Sequence, residues 1–208
     1  INNKVDLIYA IATPAAQTVA NLTKDIPIVG SAITDYEAAK LVKSNEAPGG
    51  NLTGTSDMNP IKEQIDLLMK IAPNAKTIGC IYTSSEVNSE IQFKAMKEYA
   101  ESKGLKVEAA TISTVNDIQQ AAQSLVGKVD AFYEPTDNII ASAMPTLISV
   151  TNPAKKPVIC GESNMVKAGG LATYGVDYYQ LGKQAGMMAA DILEGKAKPA
   201  DMPIQFAA

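Results

Sequence analysis

The sequence of 208 residues contains no histidine and no arginine, since all 18 of its basic residues are lysines. Without histidine, Ser-His-Asp and Cys-His catalysis are excluded, as are most zinc and haem sites. Without arginine, and with a net charge of −4, the chain lacks the basic surface and the base-reading side chains of nucleic-acid-binding proteins. We therefore expect no metal, no cofactor and no nucleic-acid partner.

Cysteine is scarce as well, and no apolar run is long. The two cysteines, Cys80 and Cys160, each lie inside a short apolar segment, which indicates small core residues rather than a disulfide or a metal pair. No segment approaches the roughly 18–20 continuous apolar residues that a transmembrane helix needs. The first residues do not show the basic and then apolar pattern of a signal peptide, and because a processed start would look the same, this leaves the compartment open.

The sequence does contain short apolar strands that alternate with amphipathic helices. The alternation extends from a strand at Val5–Ala12 to a helix at Tyr179–Glu194. Strands separated by helices of ten or more residues predict parallel sheets with right-handed crossovers. Because the strands are continuously apolar, both faces of each sheet are expected to be covered. The predicted class is therefore α/β.

Four local predictions concern the connections between these elements. The sequence predicts a short helix at Tyr36–Val42, a turn and crossover at Gly49–Gly54, one helix at Ile139–Val150 and a strand at Leu171–Gly175. With these elements, the first part of the chain, up to residue 57, has two clear strands, and residues 58–177 have five.

The elements fall into two lobes. We assign residues 1–57 and 178–208 to lobe 1 and residues 58–177 to lobe 2. Two strands give too little sheet for an ordinary core. We therefore expect lobe 1 to be truncated, lacking an opening βαβ portion and a terminal strand after Phe206.

Acidic and hydroxylated residues follow the predicted strands, at the edge where ligands bind in open α/β sheets. The acids in these turns are Asp35, Glu86, Asp137, Glu162 and Asp177. One interpretation is that they are ordinary helix N-caps. The other is that several carboxylates converge on one site, where mutual repulsion raises their pKa values and a cationic ligand group relieves it.

The second interpretation suggests a ligand that carries both an ammonium and a carboxylate group. The acids would hold the ammonium, while helix N-termini and hydroxyl groups would hold the carboxylate without arginine. Tyrosines near strand ends are candidates for an aromatic wall, with a packed core position as the alternative. They are Tyr36, Tyr82, Tyr133, Tyr174, Tyr178 and Tyr179.

Four segments in these turns, Ala12–Gln17, Pro48–Gly54, Tyr82–Ser89 and Tyr133–Asn138, resemble the ABC-transporter substrate-binding proteins of the tryptophan/tyrosine-binding type. The resemblance covers nearly the whole chain and keeps the order of the motifs. It implies the type I periplasmic-binding fold, with two Rossmann-like lobes joined by a hinge and a ligand held in the cleft between them. Family members also carry an opening portion, a secretion signal and often a lipid-bearing cysteine.

The resemblance also implies which residues face the ligand. Its motif positions correspond here to Thr13, Glu86, Asn88, Ser89, Thr136, Asp137 and Asn138. Strand-end geometry adds Asp35, Ser56, Glu162 and Asp177. Within this set, Asp137 is predicted to hold the ammonium, and Ser89, Thr136 and Thr13 are predicted to hold the carboxylate.

The function implied is that of an extracytoplasmic solute-binding receptor of an ABC importer. The expected ligand is a small amino acid, aromatic in type (Trp, Tyr or Phe), and the expected partner is an ABC permease in the membrane. The receptor is expected to be a monomer, either a lipoprotein at the cell surface, anchored through a preceding segment, or a periplasmic protein.

Two alternatives remain open at this stage. The first is the effector-sensing core of a cytosolic transcription regulator with the same fold, for which no helix-turn-helix module is present. The second is an enzyme that uses the acids for general acid–base chemistry. With no nucleophile–base pair and no cofactor fingerprint, we assign no catalytic residue and expect a protein that is not an enzyme.

Overall fold

The computed structural model describes residues 4–206, which form two compact units. Unit 1 comprises the residues up to Met58 together with those from Val176 onward, and unit 2 comprises Asn59–Gly175. Each unit contains one four-stranded sheet, and every strand pairing is parallel. The predicted α/β class with parallel sheets is confirmed.

Unit 1 has the strand order β1-β2-β3-β8. Its core lies between the sheet and α1 and includes the fully buried Ile28, Ile33 and Tyr36. The elements of unit 1 are β1 (Ile8–Ile11), α1 (Thr13–Leu22), β2 (Ile28–Ile33), β3 (Leu52–Ser56), α8 (Tyr178–Leu193) and β8 (Gln205–Phe206).

Unit 2 has the strand order β5-β4-β6-β7. Its elements up to β6 are α2 (Ile61–Ile71), β4 (Thr77–Thr83), α3 (Val87–Ser102), β5 (Lys106–Ile112), α4 (Ile118–Val126) and β6 (Ala131–Glu134). The remaining ones are α5 (Asn138–Ser142), α6 (Met144–Thr151), β7 (Val158–Cys160) and α7 (Ser163–Lys167).

The sheet of unit 2 is buried on both faces, as its continuous apolar strands predict. Side chains alternate between the faces along each strand, so Cys80 packs in the cluster that includes α2 and α3. Cys160 packs in the cluster that includes α4 and α6 on the other face. Both cysteines are buried and free, which confirms the prediction that they are core residues.

Two of the local predictions for unit 1 are wrong. Residues 36–42 form turns rather than a helix. Leu52–Ser56, three of whose five residues fall in the predicted crossover, is a fully buried strand. Its small Gly, Thr and Ser residues lack a strand-like hydrophobic pattern, but they allow β3 to lie close to β2. Unit 1 therefore has more strands than the two predicted.

Two predictions for unit 2 are also wrong. The single helix at Ile139–Val150 is two helices, α5 and α6, separated at Ala143. Pro145 lies in the first turn of α6, where its missing N–H is tolerated, whereas inside one long helix it would not be. The segment 171–175 forms one isolated bridge, from Ala172 to Ile159, so the sheet has four strands rather than five.

Two further observations bear on the sequence predictions. Within residues 4–206, none of the helices has both the length and the apolar character needed to cross a membrane. The position after Phe206 lies outside the described residues.

A substitution at Gly54 tests whether β3 must lie close to β2. Its φ is +155°, and a Cβ added there would lie 2.0 Å from the carbonyl oxygen of Gly30. Because that oxygen belongs to the backbone, the strands must separate, and we expect Gly54→Ala to reduce the free energy of unfolding by about 3 kcal/mol. Urea unfolding measures this. Gly50→Ala is the control, because nothing lies within 4 Å of its added Cβ. Equal stability of the two variants would contradict the expectation.

Candidate functional site

The sheet of unit 2 opens at its carboxyl edge between β4 and β6. The β4–β5 ladder extends to Thr83 and Ile112, whereas the β4–β6 ladder stops at the Gly79–Phe132 pair. The chain continues from β4 to β5 on one side and returns to β6 on the other, so the order of strands reverses here. Crevices that bind ligands form at such positions in α/β sheets, and the candidate site of unit 2 is therefore this edge.

Two carboxyl groups occupy the gap where β4 and β6 separate. Both oxygens of Glu134 lie 3.4 Å from the N–H nitrogen of Ile81, and Oδ2 of Asp137 accepts the N–H of Thr83 at 2.6 Å. Both acids are fully buried. Burial, and then the nearby Asp137 charge, raise the pKa of Glu134 well above its ordinary value, which favours the neutral form of this carboxyl group. Side chains thus replace the main-chain acceptors that a continued ladder would supply.

Asp137 has a structural role: it is the N-cap of α5, as one interpretation of the sequence predicts, and it also bonds residues of β4 and α3. Its Oδ1 accepts the Thr83 hydroxyl and the N–H groups of Ile139 and Ile140. Its Oδ2 accepts the Ser89 hydroxyl at 2.7 Å as well as the Thr83 N–H. Five internal donors fill the acceptor positions of one carboxylate. These bonds leave Asp137 no acceptor position for the predicted ammonium group, and the Ser89 hydroxyl, predicted to hold a carboxylate, donates to Asp137; both roles stay predictions.

Glu86, in contrast to Asp137, has one carboxylate oxygen that no internal donor bonds. Its Oε2 accepts the side-chain amide of Asn88 at 2.9 Å, and the side-chain amide and backbone N–H of Asn138 at 2.7 and 3.2 Å. No described residue donates a hydrogen bond to Oε1, and none of the lysine–carboxylate pairs among the described residues includes Glu86. Glu86 is only 6% exposed. It is therefore a nearly buried carboxylate that keeps an acceptor oxygen and has no cationic partner.

Two amide oxygens, one on Asn88, which is bonded to Glu86, and one on Asn59, also have no partner. The side chain of Gln92 accepts hydrogen bonds from Asn59 and from the Thr136 N–H, and donates to the Asn88 carbonyl and the Thr136 hydroxyl. Oδ1 of Asn88 and Oδ1 of Asn59 are buried without a hydrogen bond. Asn59 lies outside the strand-end turns, so the sequence analysis missed it; its position directly before α2 gave no signal.

Three of the other acids are helix caps or turn residues. Glu162 caps α7 with both oxygens, and Asp177 caps α8 with one. Asp35 accepts the N–H of Ala38 in a turn. The N-cap interpretation, which the sequence left open, therefore describes Glu162 and Asp177. The helix α3, by contrast, begins at Val87 with no side-chain cap, which leaves its N-terminus available to an anion.

Unit 1 has its own uncapped helix start. The N-cap of α1 is Ala12, which makes no side-chain hydrogen bond and has φ +74°, a conformation that is costly for a residue with a Cβ. Thr13 follows, and its hydroxyl is buried without a partner. Strained backbone is concentrated at functional positions, so this helix start is the candidate site of unit 1.

The side chains at the carboxyl end of β3 form hydrogen bonds within unit 1. The Ser56 hydroxyl donates to the Thr34 carbonyl at 2.8 Å, so Ser56 has an internal role. The adjacent Asp57, which the sequence analysis missed, is 3% exposed and accepts the Tyr178 hydroxyl at 2.8 Å. The missed strand explains this, because a crossover segment offers no strand end at which to look for an acid.

The six candidate tyrosines do not form one aromatic surface. Tyr36 and Tyr133 are core residues, and their hydroxyls donate to the Thr55 carbonyl and to Gln64. Tyr82 stacks on Phe93 with ring centroids 4.5 Å apart. Exposure of 49% and 78% places Tyr174 and Tyr179 at the surface.

Comparison with known proteins gives matches along the chain. The model of a protein family described as ABC transporter substrate binding protein matches residues 1–208. A tyrosine-binding protein of Clostridioides difficile (strain R20291) is 48% identical over 204 residues, which cover 98% of this chain and 59% of that protein. The chain spans about three-fifths of the length of the curated relatives that it matches, 59% and 62%.

Solved structures match as well. An ABC domain in complex with L-Trp from Streptococcus pneumoniae has a TM-score of 0.96 at 45% identity, covering 100% of this chain and 70% of that chain. A LacI-family transcriptional regulator from Bifidobacterium animalis subsp. lactis has a TM-score of 0.64 at 15% identity, covering 100% of this chain and 75% of that one. The second likeness shows a common fold alone.

The structural role of Asp137 is tested by Asp137→Asn. The amide keeps one acceptor oxygen but places an NH₂ group against internal donors, so we expect a loss of about 2–4 kcal/mol in the free energy of unfolding. Urea unfolding measures this. Asp177→Asn is the matched control, because Asn caps a helix as well as Asp does, and we expect a change below about 0.5 kcal/mol. An Asp137→Asn variant of unchanged stability that had lost ligand affinity would restore the ammonium role.

Glu134→Gln tests the neutral carboxyl group. The unfolded chain ionises Glu134 above its ordinary pKa of 4.5, whereas the raised pKa in the folded chain disfavours ionisation, so this group lowers the stability of the wild type as pH rises above 4.5. The variant lacks this loss, and its stability relative to the wild type should improve by up to about 1.4 kcal/mol per pH unit. Urea unfolding between pH 4.5 and 7 measures the difference. The exposed Glu98→Gln should follow the wild type, and a constant difference for Glu134→Gln would refute the assignment.

Proposed function

The chain belongs to the family of ABC transporter substrate-binding proteins, and from this premise we propose that it is a receptor for a small aromatic L-amino acid. One observation carries the choice of ligand. Glu86 is a nearly buried carboxylate with one unbonded oxygen and no cation, beside Asn88 with an unbonded amide oxygen. Both groups accept hydrogen bonds, and an α-ammonium group supplies the charge and the donors that they lack.

The energetics favour a cationic ligand group at Glu86. A buried charge without a partner is costly, and an unpaired buried acceptor costs about 1–3 kcal/mol. The chain offers no lysine there to offset these costs, so the ligand is expected to do so on binding. We propose that Glu86 takes the role first assigned to Asp137, and that Asn138 orients it through two hydrogen bonds.

The carboxylate of the ligand needs donors, and each unit offers some. In unit 2 the Thr136 hydroxyl accepts from Gln92, which leaves its own O–H to donate, and α3 begins without a side-chain cap. In unit 1 the Thr13 hydroxyl is unpartnered at the uncapped start of α1. We propose Thr13 and Thr136 as carboxylate ligands, because helix starts and hydroxyls bind anions without arginine.

The aromatic side chain is proposed from two relatives. One, 48% identical, is named for tyrosine, and another, 45% identical, was solved with L-Trp. We propose L-tyrosine and L-tryptophan as the first ligands to test. The alternative of a transcription regulator is supported only by a common fold. The alternative of an enzyme is disfavoured, because the relatives named for tyrosine and solved with L-Trp are binding proteins.

The setting of the receptor is also a proposal. Family membership supports an extracytoplasmic protein that delivers its ligand to a membrane permease. We further propose that it acts as a monomer and that a lipid anchor holds it at the cell surface.

The ammonium role of Glu86 is tested by Glu86→Gln, which keeps the shape and removes the charge. A charged hydrogen bond contributes about 1.5–3 kcal/mol, so the Kd for L-tyrosine or L-tryptophan should rise about 10- to 150-fold. Isothermal titration measures it. The deaminated analogue 3-(4-hydroxyphenyl)propanoate should bind the wild type weakly and gain relative to L-tyrosine in the variant.

Glu162→Gln is the matched control for Glu86→Gln. Glu162 is also 6% exposed at the same edge of unit 2, but both of its oxygens cap α7. Its variant should lose stability and keep the ligand affinity within about twofold, since the change does not touch an unbonded acceptor. If Glu86→Gln bound L-tyrosine as well as the wild type does, the proposed ammonium role would be refuted.

A further inference from the structure

The unpartnered oxygen of Asn59 belongs to the same hydrogen-bond network as that of Asn88. Among the described residues, five buried side-chain atoms have no hydrogen-bond partner. They are Thr13 Oγ1, Asn45 Oδ1, Asn59 Oδ1, Asn88 Oδ1 and Thr151 Oγ1. The Nδ2 of Asn59 donates to Oε1 of Gln92, and Nε2 of Gln92 donates to the main-chain carbonyl of Asn88. Asn59 is 6% exposed and Asn88 is 3% exposed.

Backbone groups of Thr136 determine which atoms of this network donate and which accept. The Thr136 N–H must donate, so the Gln92 atom that receives it at 3.0 Å is the acceptor Oε1. The Asn59 atom 2.9 Å from that oxygen must therefore be its donor Nδ2, and the atom left unbonded is the oxygen. Exchanging the nitrogen and oxygen of Asn59 would place two acceptors against each other.

The same reasoning applies to Asn88. The Thr136 carbonyl can only accept, so the atom 3.0 Å from it is Asn88 Nδ2, and the unbonded atom is again the oxygen. Oδ1 of Asn59 and Oδ1 of Asn88 are thus the two buried acceptors of the network that no described residue bonds. Oε1 of Glu86 likewise accepts no hydrogen bond from a described residue, so unit 2 has three acceptor oxygens available to N–H or O–H donors.

We propose that Asn59 is a further ligand-binding residue, whose Oδ1 accepts one N–H of the ligand ammonium alongside Asn88 and Glu86. This inference rests on the proposed function and adds a selectivity to it. Three acceptors match the three N–H bonds of a primary ammonium group, whereas an N-methyl amino acid has two and leaves one buried oxygen unpaired. Sites built to bond a polar group discriminate strongly against analogues that lack the group.

The experiment compares L-tyrosine with N-methyl-L-tyrosine by isothermal titration. We expect the wild type to bind L-tyrosine at least about 10-fold more tightly. In Asn59→Ala the third acceptor is absent, so the affinity for L-tyrosine should fall while the preference over N-methyl-L-tyrosine shrinks to about threefold or less. A loss of network support alone would weaken both ligands equally and would not move this ratio.

Thr151→Val is the matched control. Thr151 also carries a buried unpartnered oxygen in unit 2, but it ends α6, at the amino edge of the sheet. Its variant should keep both affinities and the ratio. Asn59→Ala with an unchanged ratio would overturn the proposal, because the oxygen would then have a structural role or bind only water. A wild type that binds neither L-tyrosine, L-tryptophan nor L-phenylalanine would instead refute the proposed function itself.

Discussion

The site of unit 2 depends on two carboxyl groups that take the place of main-chain acceptors where β4 and β6 separate. A parallel sheet that opens at one edge leaves backbone N–H groups unpaired, and buried unpaired N–H groups are rare because they are costly. Glu134 and Asp137 accept those of Ile81 and Thr83. The gap can therefore exist with both of these N–H groups bonded, and five internal N–H and O–H donors stabilise the Asp137 carboxylate.

The polarity of the network above this gap follows from the same requirement. The Thr136 N–H and carbonyl must both be satisfied by side chains, and Gln92 and Asn88 do so. These bonds leave Oδ1 of Asn59 and Oδ1 of Asn88 buried without a hydrogen bond. Glu86, whose Oε1 accepts no hydrogen bond from a described residue, is bonded to Asn88 through its Oε2. The arrangement favours a ligand rich in N–H groups, and it is complete within one unit.

The sequence predicted the class of fold and the edge of the sheet, because both follow from the alternation of apolar segments and from the direction of parallel strands. It missed β3, since Leu52–Ser56 consists mostly of small polar residues and is buried by its neighbours rather than by its own hydrophobicity. Asp57 was missed with it. Asn59 could not be found, because an orphaned amide oxygen arises from contacts with Gln92 on another helix.

The sequence could not separate the acids that cap helices from the acid proposed to bind a ligand, because all of them precede a helix in the same way. The carboxylates of three acids, Asp137, Glu162 and Asp177, accept hydrogen bonds from N–H groups in the first turns of α5, α7 and α8. Glu86 occupies the same N-cap position of α3 but does not cap it. The difference lies in two asparagines: the side-chain amides of Asn88 and Asn138, rather than the first N–H groups of α3, donate to Oε2 of Glu86. Diverting one acid thus produces both an open carboxylate oxygen and an uncapped helix N-terminus, which are the two groups that a zwitterion requires.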